Sequence, residues 1–268
     1  MNHMLCDFHI HSQFSDGQLT IPQLIDLYGK NGFGAIAITD HLCETNTFLG
    51  KSAQFLGRTL TAQSFDQYMQ ILRCEAERAW DQYKMIVLPG YEITKNSLNN
   101  HRSAHFLAIG ISEMISADTE IVEALRAIRS LGAITVAAHP VSTGAFEPQT
   151  YHLWSRREEL AEEFDAWEVA SGPQLFQSVL QSGLPMLASS DLHARKNINS
   201  WKTVLNCERH PEAVLDAIRQ QQVEFVFFEE KRESYELWQN MNLNPINPLS
   251  QELPKFSLNS ASSIIGTK

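Results

Sequence analysis

Short apolar runs alternate along the chain with longer segments whose apolar residues recur at helical spacing. Met4 to Ile10 predicts a first strand. Thr20-Ile21-Pro22 predicts a helix start, with Thr20 as N-cap and Pro22 in the first turn, and Leu24, Ile25, Leu27 and Tyr28 supply its buried face. The glycines at 32 and 34 end it. Ala35 to Thr39 predicts a buried strand, Leu42 to about Arg58 a loop or excursion, and Ser64 the start of a long helix faced by Phe65, Tyr68, Ile71, Leu72 and Trp80. Further strands are predicted over Met85 to Leu88, Ala104 to Gly110, Ile134 to Ala138, Ala166 to Ala170, Met186 to Ser190 and Val223 to Phe228. Helices are predicted over Val122 to Leu131, Ser155 to Glu163, Leu175 to Ser182 and Pro211 to Gln221. After Glu229 apolar content falls while Asn, Ser and Pro rise, which divides the chain into a domain over 1–230 and a docked or partly disordered extension over 231–268.

Seven or eight strand and helix alternations indicate a parallel α/β architecture, either an open doubly wound sheet or a barrel. The polar residues decide between the two. Many of the apolar runs finish on groups able to bind metal, and a barrel gathers its strand ends at one mouth whereas an open sheet spreads them along an edge. A barrel is therefore expected.

The polar residues concerned begin with Asp7-Phe8-His9-Ile10-His11. Residues two apart on a strand face the same way, so His9 and His11 present two imidazoles side by side, and the polar turn that follows brings Asp16 back toward them. Alone, such a pair reads equally well as solvated surface histidine. Its recurrence as Asp40-His41, His139-Pro140 and Asp191-Leu192-His193, each closing an apolar run, points to a metal centre.

Composition narrows the rest. A chain of 268 residues, 43% hydrophobic and 19% charged, has apolar mass for a core and is not disordered by default. Its formal net charge of −10 argues against a general binder of nucleic acid or membrane surfaces, which requires a basic face. Cys6, Cys43, Cys74 and Cys207 make no Cys-x-x-Cys pair, so free, mostly buried thiols are expected. With no basic-then-apolar leader and no run long enough to span a bilayer, the chain reads as cytoplasmic.

Taken together, the run Asp7 to Gly17, Thr39-Asp40-His41, Gly90-Tyr91-Glu92, Ala104-His105-Phe106, Ala138-His139-Pro140 and Ser190-Asp191-Leu192-His193 resemble the polymerase and histidinol phosphatase (PHP) family of metal-dependent phosphoesterases. The resemblance covers about Leu5 to Phe228 and implies a distorted (β/α)7 TIM-like barrel with a multinuclear centre at its mouth. It places His9, His11, Glu92 and Asp191 on one ion, with Glu92 bridging to a second ion held by His105 and His139. A third ion would lie among Asp16, His41 and His193; the family often has His where Asp16 stands. Asp40 would act from outside the ligand set by orienting an imidazole, and Glu168 would also stand behind the ligands. His9, His11, Glu92, Asp191 and His193 are the expected catalytic set.

Imidazole and carboxylate ligands without thiolate suit two or three ions of Zn, Mn or Fe. The expected reaction is hydrolysis of a small phosphate ester, a phosphomonoester or nucleotide, by a hydroxide shared between ions. Arg102, Arg195 and Lys196, with Lys95, lie near the motifs and are candidate phosphate contacts. The alternatives are a non-catalytic metal- or nucleotide-binding regulatory barrel, a PHP-type nuclease for short oligonucleotides, and an amidohydrolase-like hydrolase of a non-phosphate bond. No long nucleic acid and no membrane is expected as partner. His3, His101, His152 and His210 fit no motif and read as solvated or structural.

Overall fold

The computed structural model describes residues 3–99, 102–141 and 151–230, together with the backbone of Lys255–Phe256. The predicted extension over 231–268 and His101 fall almost wholly outside the described residues.

A curled mixed sheet forms the centre. Strand β1 (His3–Asp7) pairs in parallel with β2 (Ala35–Ile38), which pairs in parallel with β4 (Ile86–Lys95). The sheet continues through β5 (Ala104–Ile109) and β6 (Ile134–Ala137), both added antiparallel, to β7 (Ala166–Ser171) and β9 (Met186–Ser189), both added parallel. On the other side of β1 lie antiparallel β10 (Ser200–Asn206) and β11 (Val223–Phe228).

The ends of the curl meet without a regular ladder. Thr203 Oγ1 accepts from Ala188 N and donates to Ala188 O, at 3.0 and 2.8 Å, so one hydroxyl bridges β9 to β10. Nearer the mouth Leu192 N donates to His9 O and His11 N to Leu192 O, at 3.1 and 2.9 Å. These bonds carry the chain beyond β9 directly onto the segment of the two leading histidines.

Of the distorted (β/α)7 barrel expected from the sequence, the structure has the mixed α/β class and a curled sheet, with β5 and β6 among the strands added antiparallel. Only eight residues join β4 to β5, too few for the helical crossover that a parallel return needs, so the two form an antiparallel pair. Strand β4 also runs on through Pro89 and Gly90, where the sequence reading stopped it. Pro89 donates nothing but accepts from Gly110 N, and Gly90 lies so close to Ala108 O that a Cβ there would approach it to 2.5 Å.

Helix α1 (Ile21–Lys30) follows its prediction: Ile21, Leu24, Ile25, Leu27 and Tyr28 are buried, and Thr20 and Gln23 cap each other reciprocally. Between β3 (His41–Cys43) and the long α3 (Ala62–Tyr83), the predicted excursion contains α2 (Phe48–Phe55). The N-cap of α3 is Thr61, with Ser64 answering from inside the first turn, so the helix begins before the serine that announced it. Trp80, assigned to its apolar face, is 42% exposed. Helix α8 (Pro211–Arg219) lies within its predicted span and α4 (Ile121–Ser130) is offset from its own by one residue, whereas the segments predicted as Ser155 to Glu163 and Leu175 to Ser182 hold only short turns of helix, α6 (Arg157–Leu160) and α7 (Gln177–Leu180), with α5 (Tyr151–Ser155) just before the first of them. A two-residue strand, β8 (Gln174–Leu175), pairs back onto β7. The four cysteines are free; Cys6 and Cys43 are buried and Cys74 is exposed. Among the described residues no helix is long and apolar enough to cross a membrane.

Candidate metal centre

Strand termini deliver the side chains to one place. His9 and His11 follow β1 and are fully buried, with rings 5.0 Å apart. His41 opens β3 in register with Glu92 on β4, and His105 enters from β5, so three neighbouring strands meet at one carboxylate. Glu92 Oε2 stands 2.6 Å from His41 Nδ1 and 3.7 Å from the Nε2 atoms of both His9 and His11. Its other oxygen, Oε1, is 3.1 Å from His105 Nδ1 and 3.5 Å from His139 Nε2. Asp191 Oδ1 completes the inner side at 3.4 Å from His9 and 3.2 Å from His11. On the outer side Asp16 Oδ1 lies 3.1 Å from His193 Nε2 and 3.5 Å from His41 Nε2.

Three sets of donor atoms are close enough to share an ion: His9, His11 and Glu92; Glu92, His105 and His139; and His11, Asp16, His41 and His193. The residues fit such ions on physical grounds. His9 Nε2, both nitrogens of His11, both oxygens of Glu92 and His105 Nδ1 are buried without a hydrogen-bond partner. Unpaired buried polar atoms cost about 1–3 kcal/mol each, more when charged, so a clustered set of them is a site shaped for something else.

Electrostatics agree. Burial disfavours the charge on Glu92, yet His41, His105 and His9 outweigh it and hold the carboxyl well below its usual range. Burial likewise opposes ionisation of Asp191, and His9, His11 and His139 overcome it. The imidazoles divide. Burial and the proximity of His41 push His11 down to about 3, and burial keeps His105 low despite Glu92, so both offer free lone pairs at neutral pH. Burial opposes protonation of His193 too, but Asp16 and Asp191 prevail and raise it to about 9. Burial opposes ionisation of Asp16 as well, and its bond to His193 with the charges nearby brings it down to about 2.

Two backbone positions at the centre are strained. His139 and Asp191 have φ of 28° and 49°, conformations that non-glycine residues rarely hold. Gly17, in the turn that carries Asp16, packs against His11 O so closely that a Cβ would reach 2.2 Å from it. Only glycine fits that approach.

Glu168 lies behind His9 and His139, on the side away from the cavity's candidate donor atoms. Its Oε1 is 2.9 Å from His9 Nδ1 and its Oε2 accepts from His139 N at 2.7 Å, which leaves His9 Nε2 facing the centre. Glu168→Gln keeps the shape but can no longer hold both donors, and loss of such an outer partner typically costs 10–100-fold in metal affinity. Competition with a chelator dye is expected to show that weakening, with the unfolding midpoint of the ion-free protein little changed.

Asp40 departs from its expected role. Its carboxylate accepts from Ser12 N, Ser12 Oγ and Ser15 Oγ at 2.9, 2.7 and 2.6 Å, so it fixes the turn leading to Asp16 and orients no imidazole. Sequence reasoning missed Asn96, whose Oδ1 is 2.8 Å from His105 Nε2 and turns Nδ1 toward Glu92, and Thr94, 2.8 Å from His41 Nδ1. Both lie beyond the predicted end of the third strand, and the two-residue spacing Glu92, Thr94, Asn96 was their available signal.

A cavity of about 580 Å³ opens above the centre, with Asp16, His41, His105, His139, Asp191 and His193 in its wall. None of the candidate phosphate contacts lines it. Arg195 is paired with Glu230 at 2.9 Å and Lys95 with Glu44 at 3.3 Å, while Arg102 and Lys196 are also absent from the wall. His152 and His210 lie outside it too.

The fold has solved counterparts. A two-domain protein containing a predicted PHP-like metal-dependent phosphoesterase from Bacteroides vulgatus is 23% identical with a TM-score of 0.65, over 84% of this chain and 65% of that one. The chain thus spans just under two thirds of that protein's length. PsfC from Pseudomonas syringae is 16% identical with a TM-score of 0.56, over 89% of this chain and 96% of its own. No curated protein matches the sequence. The family model of the PHP domain matches residues 7–137, which begin before His9 and His11 and end two residues before His139. Residues 7–137, just under half of the chain, are thus similar to the PHP domain.

Proposed function

We propose that this protein is a metal-dependent hydrolase of small phosphate esters, phosphomonoesters or nucleotides. The observation that carries this reading is the convergence of nine imidazole and carboxylate groups, several with buried and unpartnered donor atoms and six of them lining one open cavity. His9, His11, Glu92 and Asp191 would hold one divalent ion, Glu92, His105 and His139 a second, and Asp16, His41 and His193 a third. Without thiolates, this set suits Zn, Mn or Fe. Bound there, such ions supply an activated water at neutral pH and offset the charge of the phosphoryl group.

The protein's own groups have separate tasks. Glu168 fixes the His9 ring, and Asn96 does the same for His105, so the donor atoms are oriented before a ligand arrives. His193 retains a proton near neutral pH while no ion occupies its site. If only the two inner sites were filled, the proton that His193 Nε2 shares with Asp16 at 3.1 Å would be available to a leaving alkoxide. The cavity volume suits a substrate of mononucleotide size and falls short of a groove for long polymers.

The test is metal content of the purified protein together with turnover of p-nitrophenyl phosphate, its bis ester and a nucleotide panel in Mn²⁺ and Zn²⁺. At least two ions per chain and ester turnover abolished by a chelator are expected. A protein that binds no divalent ion, or binds ions and cleaves no ester, would defeat the reading.

A further inference from the structure

The wall of the cavity contains a single Lys or Arg among the described residues, Arg58. It lies in the excursion between β3 and α3, and the backbone that presents it is firmly held. Helix α2 is capped by Leu56 and followed by Gly57, whose φ of 63° turns the chain, and Arg58 N closes the turn by donating to Ala53 O at 2.9 Å. The next two residues are buried and bonded to a strand of the metal centre. Thr59 Oγ1 accepts from Cys43 N at 2.8 Å, and Leu60 N donates to His41 O at 2.7 Å. Arg58 is therefore carried one residue from a segment anchored at His41 itself.

Among the described residues its guanidinium has no counter-ion. Lys95, Arg195 and Arg78 are each paired with a carboxylate, at 3.3, 2.9 and 2.6 Å. Arg58 is exposed and, among the described residues, makes no side-chain hydrogen bond or ion pair. An unpaired arginine beside clustered metal ligands is suited to an anion reaching the same cavity, and its planar fork matches two oxygens of one phosphoryl group. The neighbouring wall residues Asn96, Ser171, Gln174 and Asn197 are neutral.

We infer that Arg58 is the substrate-binding cation of the site and that it selects dianionic phosphomonoesters over singly charged diesters. The inference rests on the phosphoesterase reading and narrows its substrate class. A monoester presents three non-bridging oxygens and a second negative charge; a diester has one charge, and its extra substituent takes the place of an oxygen the guanidinium would hold. One lone cation gives little help to the polyphosphate chains of nucleoside triphosphates. Mononucleotides and sugar or amino-alcohol phosphates fit better.

Arg58→Met keeps length without charge, and Arg58→Lys keeps charge without the fork. The two chromogenic esters share p-nitrophenol as leaving group, so their ratio isolates the phosphoryl end. For Arg58→Met, kcat/KM on p-nitrophenyl phosphate is expected to fall about 100-fold and on the bis ester less than about threefold. Inhibition by inorganic phosphate should weaken at least tenfold, with metal content and unfolding midpoint unchanged. Arg58→Lys should recover part of the monoester rate. Equal losses on both esters, or unaltered phosphate inhibition, would overturn the inference while leaving the phosphoesterase reading intact. Should the metal-loaded wild type cleave neither ester, calorimetry with inorganic phosphate separates the two ideas: binding lost in Arg58→Met retains the anion site, and unchanged binding removes it.

Discussion

Glu92→Gln is expected to lower ester turnover by at least about 10³-fold and to release one or more divalent ions per chain, about 4 kcal/mol in barrier terms. Both carboxylate oxygens face imidazoles: His9, His11 and His41 on one side, His105 and His139 on the other. Among the described residues, Glu92 is the member common to both inner donor sets. The amide has the same shape but presents one weak acceptor and one donor, and a donor N–H cannot face a cation. The substitution removes a fully buried charge, so the ion-free protein should unfold within a few degrees of wild type. Metal analysis, steady-state kinetics and thermal melts on the same preparation separate loss of the ion from loss of the fold. Retention of all ions with wild-type turnover would show that Glu92 is not shared between sites.

The clustering of the candidate ligands was legible because each ends or opens an apolar run, and a two-residue period or a turn then dictates where it points. His9 and His11 needed nothing more than strand geometry, and Asp16 needed the glycine behind it. The groups that tune the ligands were harder to see. Asn96 and Thr94 lie past a Pro-Gly pair that ordinarily stops a strand, and the strand continues because Pro89 is asked to accept and never to donate. Asp40 was found but given the wrong partner, since its motif neighbour is an imidazole while its hydrogen bonds go to Ser12 and Ser15. The phosphate candidates failed for a similar reason. Proximity in sequence to a motif does not show which way a long cationic side chain turns, and Arg195 turns to Glu230. Arg58 carried no motif at all, and its place at the cavity depends on contacts between segments that the sequence does not pair.

The other failure of sequence reading, strand β10, leads to the largest stability effect. Ser200-Trp201-Lys202-Thr203 lacks the apolar run of a central strand, yet Lys202 is fully buried and its Nζ lies 3.1 Å from Asp7 Oδ2 and 2.5 Å from Ser200 Oγ. Burial pushes the Lys202 ammonium below its usual value, with Asp7 opposing that shift. Asp7 in turn accepts from Tyr28 OH at 2.7 Å and from Ser190 N at 2.9 Å, one residue before the strained Asp191. Lys202→Met fills the same space but strands Asp7 as an uncompensated charge inside the protein. Breaking a buried pair from one side typically costs about 3–5 kcal/mol, against roughly 1 kcal/mol for most substitutions. Urea unfolding of the ion-free variant should show that loss. The double variant Asp7→Asn with Lys202→Met removes both charges together and is expected to regain at least half of it, because the amide oxygen of the new side chain can still accept from Ser190 N. A single variant within about 1 kcal/mol of wild type would mean that water reaches Asp7, and that the turn carrying Asp191 is not held by this pair.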